Sequence, residues 1–561
     1  MRGIMPATYG SALLMAHLQP QSFGHDGRPP EKIRLTAIRA FTPKTVRLTG
    51  REVREIWAKH FEDRGPGHPY WLYTHIPFCP QICSFCQCST SLRKSDEQVA
   101  AYLGYLEGEI EFFSDVSQPG LIQFQYVGGG TPNLLSEPQL ERLLGTINRH
   151  FRFTSTSRRT FEFLPSSLRP GTLPLVRAHG FNRLSCGVQS WSDQTLKAVN
   201  RSRAGLDELG RTIEQAYGLG FDEVNVDLIF GIGGESSRGF LEGLLELLAR
   251  NPTTVTIHNI IPTVTNPVFS SVQEELAAHA AFEALSQTIG DAVARRFPHL
   301  EWVLRPNCWV VVDRRFRQGS KFSYWYFSDN ERLHIDMLSV GRFAHSNILG
   351  QVFYENLSSA ERYDPDEASY AAFLKTPLID AALDTITDLV GDRSCDLVPI
   401  GARYGRHSVE MLELELERLE RERVVRRREH RWEPVDTNGV FIDPFLPLLE
   451  AALEGVPPPW SAPGTREMER GITVSRGARS LLVFIERVHP ERRYFTQIGQ
   501  LGIYYRDTSA VPVGHDDGLA EQLMRAVVED VRQFVEQTPS IGPKEATARL
   551  QARYRHAAPV T

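Results

Sequence analysis

Between residues 69 and 260, short apolar runs alternate with stretches of helical spacing. The apolar runs predict strands at Trp71–Phe78, Leu121–Val127, Arg159–Phe163, Arg183–Val188, Glu223–Phe230 and Thr254–Ile260. The intervening stretches Ser95–Phe113, Glu137–His150, Gly171–His179, Asp193–Ala198, Leu206–Leu219 and Arg238–Ala249 carry the helical period. Strands that alternate with helices predict an α/β fold with a parallel sheet. Six such units in a row predict a barrel or partial barrel, whose functional loops follow the C-terminal ends of the strands.

The pattern weakens on either side. Residues 1–68 are polar and rich in Pro and Gly, with one helical stretch near Arg51 to His60, and are set apart as an N-terminal extension. The core is expected over 69–375. Residues 376–455 are expected to form a helical, lid-like domain. There Leu412, Leu414, Leu416 and Leu419 supply the apolar face of a charged helix over Glu410–Arg423, and a basic run extends from Arg426 to Arg431. Such a run most simply forms a solvated face. Residues 456–561, which open with the Pro-rich linker Pro457–Pro463, are expected to form a C-terminal α/β, winged-helix-like segment without evident chemistry.

Composition changes this picture only a little. The 561 residues are 41% hydrophobic and 23% charged, enough for a sizeable core in two or three domains. A net charge of -6 speaks against nucleic acid as a partner. No run of 18 apolar residues occurs, so no membrane span is expected. The segment Ser11–Ala16 is too short for the core of a signal peptide. A reducing, cytoplasmic setting is therefore expected.

Cysteine placement carries the chemistry. Four of the seven cysteines, Cys79, Cys83, Cys86 and Cys88, fall within ten residues. The first three have the spacing C-x3-C-x2-C, which offers thiolates to three irons of a [4Fe-4S] cube and leaves the fourth iron open. Structural zinc would call for paired ligands from two segments, and Cys186, Cys308 and Cys395 are isolated. A disulfide framework suits neither this length nor so few cysteines. Cys88 is surplus to the three ligands and is read as a neighbour of the cluster or a substrate-facing group.

Polar features then recur at successive strand ends. Gly128-Gly129-Gly130-Thr131-Pro132 follows the second strand, and glycines there let backbone N–H groups approach a ligand closely. Glu162 ends the third strand, Gln189 the fourth, and Asp227 lies in the fifth. Each alone could be an ordinary hydrogen-bonded residue, but their succession downstream of the cysteine cluster marks a site.

The cysteine run, Gly128–Pro132, Glu162, Leu184–Ser190, Asn200-Arg201 and Asp227 together resemble the radical S-adenosylmethionine (SAM) enzymes of the oxygen-independent coproporphyrinogen dehydrogenase type. The likeness spans roughly residues 70–360. It implies a partial (β/α)6 barrel in which Cys79, Cys83 and Cys86 hold the cluster. SAM then binds the open iron and is cleaved by one electron to methionine and a 5′-deoxyadenosyl radical. By the same resemblance Tyr73, Gly129, Glu162 and Ile261 contact this SAM. Phe85, Gly130, Thr131, Gln189, Arg201 and Asp227 line the position of a second SAM. Tyr73 and Cys88 are the candidate catalytic residues. The segment Ser339–Ser346 resembles the family's Gly-rich loop that closes on SAM, but carries Arg342 and Phe343 where small residues are usual.

The reaction is less sharply drawn. Cys88 resembles the decarboxylase, whereas the heme chaperone of this type usually has an aromatic residue there. The decarboxylase's upstream Tyr-Thr-Ser-Tyr-Pro motif is absent, and Glu162-Phe-Leu-Pro replaces the usual Glu-x-Asn-Pro. These departures place radical C-methylation or methylene transfer onto a small, aromatic or heteroaromatic metabolite first. Oxidative decarboxylation or dehydrogenation of a tetrapyrrole or other acid comes second. A non-catalytic heme-handling protein, with His75 and His345 as possible ligands, comes third. The chemistry requires an electron donor such as a flavodoxin or ferredoxin, for which no docking motif is visible.

Overall fold

The computed structural model describes residues 46–259 apart from 87, 89, 94, 233 and 234, most of 281–314 and 335–435, and parts of 448–550. Two compact units emerge: 43–261 with 281–375, and 376–561 with 1–42 and 262–280.

The first unit is built on one large sheet. In chain order its elements begin with β1 (Val46–Leu48), α1 (Gly50–Arg64), β2 (Pro69–Ile76), the short pair β3 (Phe78–Cys79) and β4 (Ser91–Leu92), and α2 (Asp96–Ser114). They continue through β5 (Leu121–Gly129), α3 (Glu137–His150), β6 (Phe153–Phe163), α4 (Thr172–Ala178), β7 (Arg183–Gln189), α5 (Asp193–Ala198) and α6 (Leu206–Gly218). Next come β8 (Glu223–Phe230), α7 (Ser237–Leu248), β9 (Thr254–Asn259), β10 (Leu300–Arg305) and β11 (Cys308–Asp313). The unit closes with β12 (Asp336–Val340), β13 (His345–Ile348), β14 (Val352–Asn356) and β15 (Tyr370–Leu374).

The sheet runs β1-β15-β14-β13-β12-β2-β5-β6-β7-β8-β9-β11-β10. Its middle, from β12 through β9, is parallel throughout. The six strands expected from the sequence therefore lie side by side in chain order, with β12 added beside β2. Both ends are finished by antiparallel strands, and β1 and β10 are edges, so the described sheet is an open, partial barrel. Strand β6 starts at Phe153, six residues before the apolar run at Arg159. The intervening residues are polar and partly exposed, which hides the strand from a hydrophobicity reading.

Strand β8 shows how the sheet sorts its two faces. Val224, Val226, Leu228 and Phe230 are buried in the apolar core. Asn225 and Asp227 alternate with them, and Asn225 Oδ1 accepts from Thr254 at 2.8 Å and Thr256 at 3.0 Å. One face is thus greasy and packed, the other polar and hydrogen-bonded. Period-two alternation puts every site residue of a strand on the polar face.

Helix α1 belongs to this unit. Thr49 and Glu52 form a reciprocal capping box at its start. Val53, Trp57 and Phe61 recur at four-residue intervals and are all essentially buried. The indole N–H of Trp57 donates to Tyr354 at 2.7 Å.

A buried carboxylate ties α2 to the loop after β12. Glu109 accepts from the Gly341 N–H at 2.6 Å, Asn356 at 2.7 Å and Tyr370 at 2.7 Å. Burial raises its pKa to about 7, against the pull of these donors and of Arg342. With the folded pKa above the ordinary carboxylate value of 4.5, Glu109 contributes stability below pH 4.5 that is lost as pH rises through about 7. The loss amounts to about 3 kcal/mol from the size of the shift. Glu109→Gln should remove this slope. Denaturant midpoints of the two proteins, measured on the acid and alkaline sides of neutrality, should lie close together at low pH, where Glu109 is neutral like glutamine, and separate at high pH as the wild type loses stability.

In the second unit, α8 (Pro377–Gly391), β16 (Cys395–Asp396), α9 (Leu397–Tyr404), α10 (Arg406–Arg421), β17 (Val425–Arg428) and β18 (Arg431–Pro434) make three helices and a small sheet ordered β16-β18-β17. This is a winged-helix arrangement. The expected apolar face of α10 needs one correction: Leu412, Leu416 and Leu419 are buried, but Leu414 is 46% exposed. Two residues along a helix turn a side chain roughly to the opposite side. The basic run forms the β17–β18 hairpin, where Arg426 pairs with Glu433 at 3.1 Å. Four further strands, β19 (Ile472–Arg476), β20 (Arg479–Arg487), β21 (Thr496–Ile498) and β22 (Leu501–Asp507), form an antiparallel sheet. No helix among the described residues is long and apolar enough to cross a membrane.

Candidate functional site

The cysteine loop leaves the C-terminal end of β2 and is closed at its base by the parallel pairing of β3 with β4. Ser91 N–H donates to the Pro77 carbonyl at 2.7 Å, and Arg93 N–H to that of Cys79 at 3.1 Å. Inside the loop, Cys86 N–H turns back to Cys83 O at 3.1 Å. A second segment clasps the loop from the end of α5. Ser84 N–H donates to Val199 O at 3.1 Å, Asn200 donates to Ile82 O at 2.8 Å, and Ser202 to Gln81 at 3.1 Å. The Asn200-Arg201 pair singled out in the sequence is therefore a clamp on the cysteine loop.

Each expected ligand has its own neighbour. Thr131 Oγ1 lies 3.6 Å from Cys79 Sγ, and Arg201 Nη1 lies 3.7 Å from Cys83 Sγ. Cys86 Sγ lies 4.0 Å from the Cys88 carbonyl oxygen. Burial pushes the Cys79 thiol up to about 11, and raises Cys83 despite the Arg201 guanidinium beside it. Hydrogen bonding with Cys88 lowers Cys86 to about 7 and raises Cys88 in turn. Metal binding must displace these protons, since the thiolate is the ligand.

Three glycines bring the end of β5 against this loop. Gly130 N–H donates to Ile76 O at 2.7 Å, and Thr131 N–H to Phe78 O at 2.7 Å. A Cβ on Gly130 would sit 2.6 Å from Phe78 O and 2.8 Å from Ile76 O. Gly129 has φ +108°, and a Cβ there would collide with the His75 ring. Glu162 accepts from Tyr126 at 2.6 Å and from the Gly129 N–H at 2.9 Å, so carboxylate and glycine run form one unit. Burial raises the pKa of Glu162. Tyr73 pairs in register with Tyr126, and its hydroxyl lies 2.9 Å from His75 Nδ1. Tyr73, Gly129 and Glu162 are thus brought together at the ends of β2, β5 and β6. Ile261 lies outside the described residues.

A second group gathers at β7 and β8. The register shifts between Gly187 and Gln189, and Gln189 takes φ 73°. Arg201 donates to Gly187 O, and Gly187 pairs with Asp227. Asp227 is pinned by Ser185 at 2.9 Å and Asn225 at 2.9 Å, with His258 Nε2 at 3.5 Å. The Gln189 Oε1 and Arg201 Nε atoms are buried without a hydrogen-bond partner. Unpaired buried polar atoms are costly, and at a site they mark where a ligand completes the bonding. Gly130 and Thr131 stand between the two groups, and Phe85 sits in the turn of the cysteine loop.

The loop after β12 reaches the same end of the sheet. Gly341 has φ +108°, and a Cβ there would meet Tyr102 Oη at 2.6 Å and His75 O at 2.8 Å. Phe343 holds φ 64°. The unusual Arg342 lies over the Tyr105 ring at 4.9 Å, and so packs on α2.

Sequence reading missed Tyr126, Ser185, Asn225 and His258 as site residues. Tyr126, Ser185 and His258 act through a residue on the adjacent strand, and cross-strand register is not written in local sequence. Alternation of polar with apolar positions in β8 was the available signal for Asn225.

The donor set fits an iron–sulfur cluster. Among the described residues, the ligating atoms that crowd within 4.8 Å of one another are those of His60, His68 and Asp336. Three thiols carried on one loop, with C-x3-C-x2-C spacing, suit three irons of a cube.

Comparison with known proteins agrees. Residues 73–246 match the model of the radical SAM superfamily. The chain is 26% identical over 405 residues to the oxygen-independent coproporphyrinogen III oxidase of Salmonella typhimurium, covering 69% of this chain and 87% of that one. It is 33% identical over 191 residues to the heme chaperone HemW of Bacillus subtilis, covering 34% and 50%. Its fold matches the solved coproporphyrinogen III oxidase of Escherichia coli with a TM-score of 0.56 at 21% identity, over 74% of this chain and 97% of that one. The protein is a radical SAM enzyme, with the [4Fe-4S] cluster and SAM that this superfamily uses. Within the superfamily it is similar to the coproporphyrinogen oxidases and to HemW.

Proposed function

We propose that this enzyme carries out an oxidative decarboxylation or dehydrogenation of a carboxylate-bearing small molecule, of which a propionate-substituted tetrapyrrole is the best candidate. The observation that carries this reading is the likeness to a coproporphyrinogen III oxidase along 87% of that protein's length. Methyl or methylene transfer, first on sequence grounds, has no counterpart in the relatives compared above and gives way.

Cys79, Cys83 and Cys86 hold the cluster, which when bound supplies the electron that cleaves SAM. Glu162 accepts from the SAM ammonium while its other bonds keep Gly129 in place, and Tyr73 packs beside it. Gly130, Thr131, Gln189, Arg201 and Asp227, with Phe85, line a second SAM position. Arg201 there pairs with a carboxylate, the geometry its planar guanidinium favours. Ile261 is assigned to the first SAM by resemblance. Cys88, exposed beside the ligands, faces the substrate. A flavodoxin or ferredoxin delivers the electron. Hydrogen removal from the propionate carbon attached to the ring, β to the carboxylate, followed by cleavage of the carboxylate's C–C bond with release of carbon dioxide and passage of one electron to an acceptor, converts the propionate to a vinyl group.

The reduced, cluster-loaded protein should convert coproporphyrinogen III to vinyl-bearing product, releasing carbon dioxide and 5′-deoxyadenosine in proportion. The partial likeness to HemW supports a second reading, heme handling. Tight stoichiometric heme binding without any decarboxylated product would favour it.

A further inference from the structure

A second set of metal-type ligands lies at the opposite end of β2 from the cysteine loop. His60, near the end of α1, places Nε2 2.7 Å from Asp336 Oδ2. His68, just before β2, places Nε2 2.6 Å from the same oxygen. The ligating atoms of all three lie within 4.8 Å of one another. His60 and Asp336 are wholly buried, whereas the His68 side chain is 20% exposed and gives access from solvent.

The surroundings hold each group in a ligand's orientation. Asp336 Oδ1 accepts the Leu349 N–H at 2.7 Å, leaving Oδ2 as a single converging oxygen. The Gln351 side-chain amide lies 2.8 Å from His60 Nδ1. With its carbonyl oxygen turned inward, that amide would take the Nδ1 proton and free Nε2 as a donor to metal; the two amide orientations have nearly the same shape. Partners of this kind, on the far nitrogen of a histidine and the far oxygen of a carboxylate, accompany metal ligands. His68 follows Gly65 and Gly67, both at positive φ, on a turn that lets its imidazole adjust. Ligand atoms around zinc stand roughly 3.3 Å apart, so the imidazoles need to retreat by only about half an ångström.

We propose that His60, His68 and Asp336 form a binding site for a divalent ion of the zinc type, with water in the fourth position on the His68 side. Two imidazoles and one carboxylate select such an ion over magnesium or calcium, which prefer oxygen. The eight residues of β2 separate this site from the cysteine loop, roughly 25 Å at the rise of a strand, so the ion takes no part in SAM cleavage. It joins α1 and the turn before β2 to the start of β12, 268 residues or more away in sequence. Such a clamp couples metal binding to the folding of the N-terminal helix onto the sheet.

The test is a zinc titration of the chelator-washed, cluster-loaded enzyme against a chromophoric zinc indicator. Wild type should take up one zinc per chain at submicromolar affinity. His68→Ala should weaken this by about 100-fold or more, with the iron–sulfur absorption and SAM cleavage unchanged. His68→Gln preserves an N–H donor to Asp336 but not the imidazole, and should show the same loss. The triple variant Cys79→Ala, Cys83→Ala, Cys86→Ala should still bind the zinc. No uptake by wild type, wild-type affinity in either His68 variant, or loss of the zinc in the cysteine variant would each overturn the proposal and leave a hydrogen-bonded His–Asp–His clamp.

Discussion

Alanine at Cys79, Cys83 or Cys86 is expected to leave the protein without a [4Fe-4S] cluster and without detectable SAM cleavage. Three thiolates are the fewest that hold the cube while leaving one iron open, and the loop around them offers no replacement. Cys88 is the nearest thiol and bonds with Cys86, but it is exposed and lies outside the C-x3-C-x2-C spacing. Cys88→Ala should keep the cluster and lose product formation. Iron and sulfide content with the visible absorption spectrum decides the first outcome, and product analysis the second. A full cluster in the Cys83→Ala protein would sink the ligand assignment.

Gly130→Ala should be the most damaging change outside the cysteines. Its Cβ would meet backbone, the carbonyls of Phe78 and Ile76 at 2.6 and 2.8 Å, rather than the tip of a movable side chain. Relief requires β5 to separate from the start of the cysteine loop. That breaks the bonds from Gly130 N–H and Thr131 N–H, both 2.7 Å, and moves Thr131 away from Cys79. Two lost backbone bonds and the strain add to about 3 kcal/mol, with poor cluster loading. Gly218→Ala is the control: nothing lies within 4 Å of its Cβ, and the effect should stay within about 0.5 kcal/mol. Urea unfolding together with iron content separates the two variants.

The parallel core was legible because each of its strands is a short apolar run bounded by a helix. Five of the six predicted strands begin within two residues of their observed start. Strand β6 extends six residues further back because Thr154, Ser155 and Thr156 carry no apolar signal. The additions β12 to β15 and β1 were not legible. The pairings that join β12 to the core and close the edge lie hundreds of positions apart, such as Leu338 with Leu72 and Val46 with Ala372, and only the folded register reveals them. At the site, motif spacing pointed to residues at strand ends. What it left unseen was how they are held: Tyr126 and Gly129 on Glu162, Ser185 and Asn225 on Asp227, and residues 199–202 on the cysteine loop. Leu414 shows the converse failure, since an i, i+2 leucine in a helix looks apolar in sequence but faces solvent.

The central claim is that the adenosyl radical takes hydrogen from the substrate and not from a second SAM. It is tested most directly by incubating the reduced, cluster-loaded enzyme anaerobically with methyl-deuterated SAM and coproporphyrinogen III, then analysing the adenosine products by mass spectrometry. The account predicts 5′-deoxyadenosine without deuterium and no S-adenosylhomocysteine, alongside decarboxylated product. Deuterium in 5′-deoxyadenosine together with S-adenosylhomocysteine would contradict it and return methyl transfer to the lead.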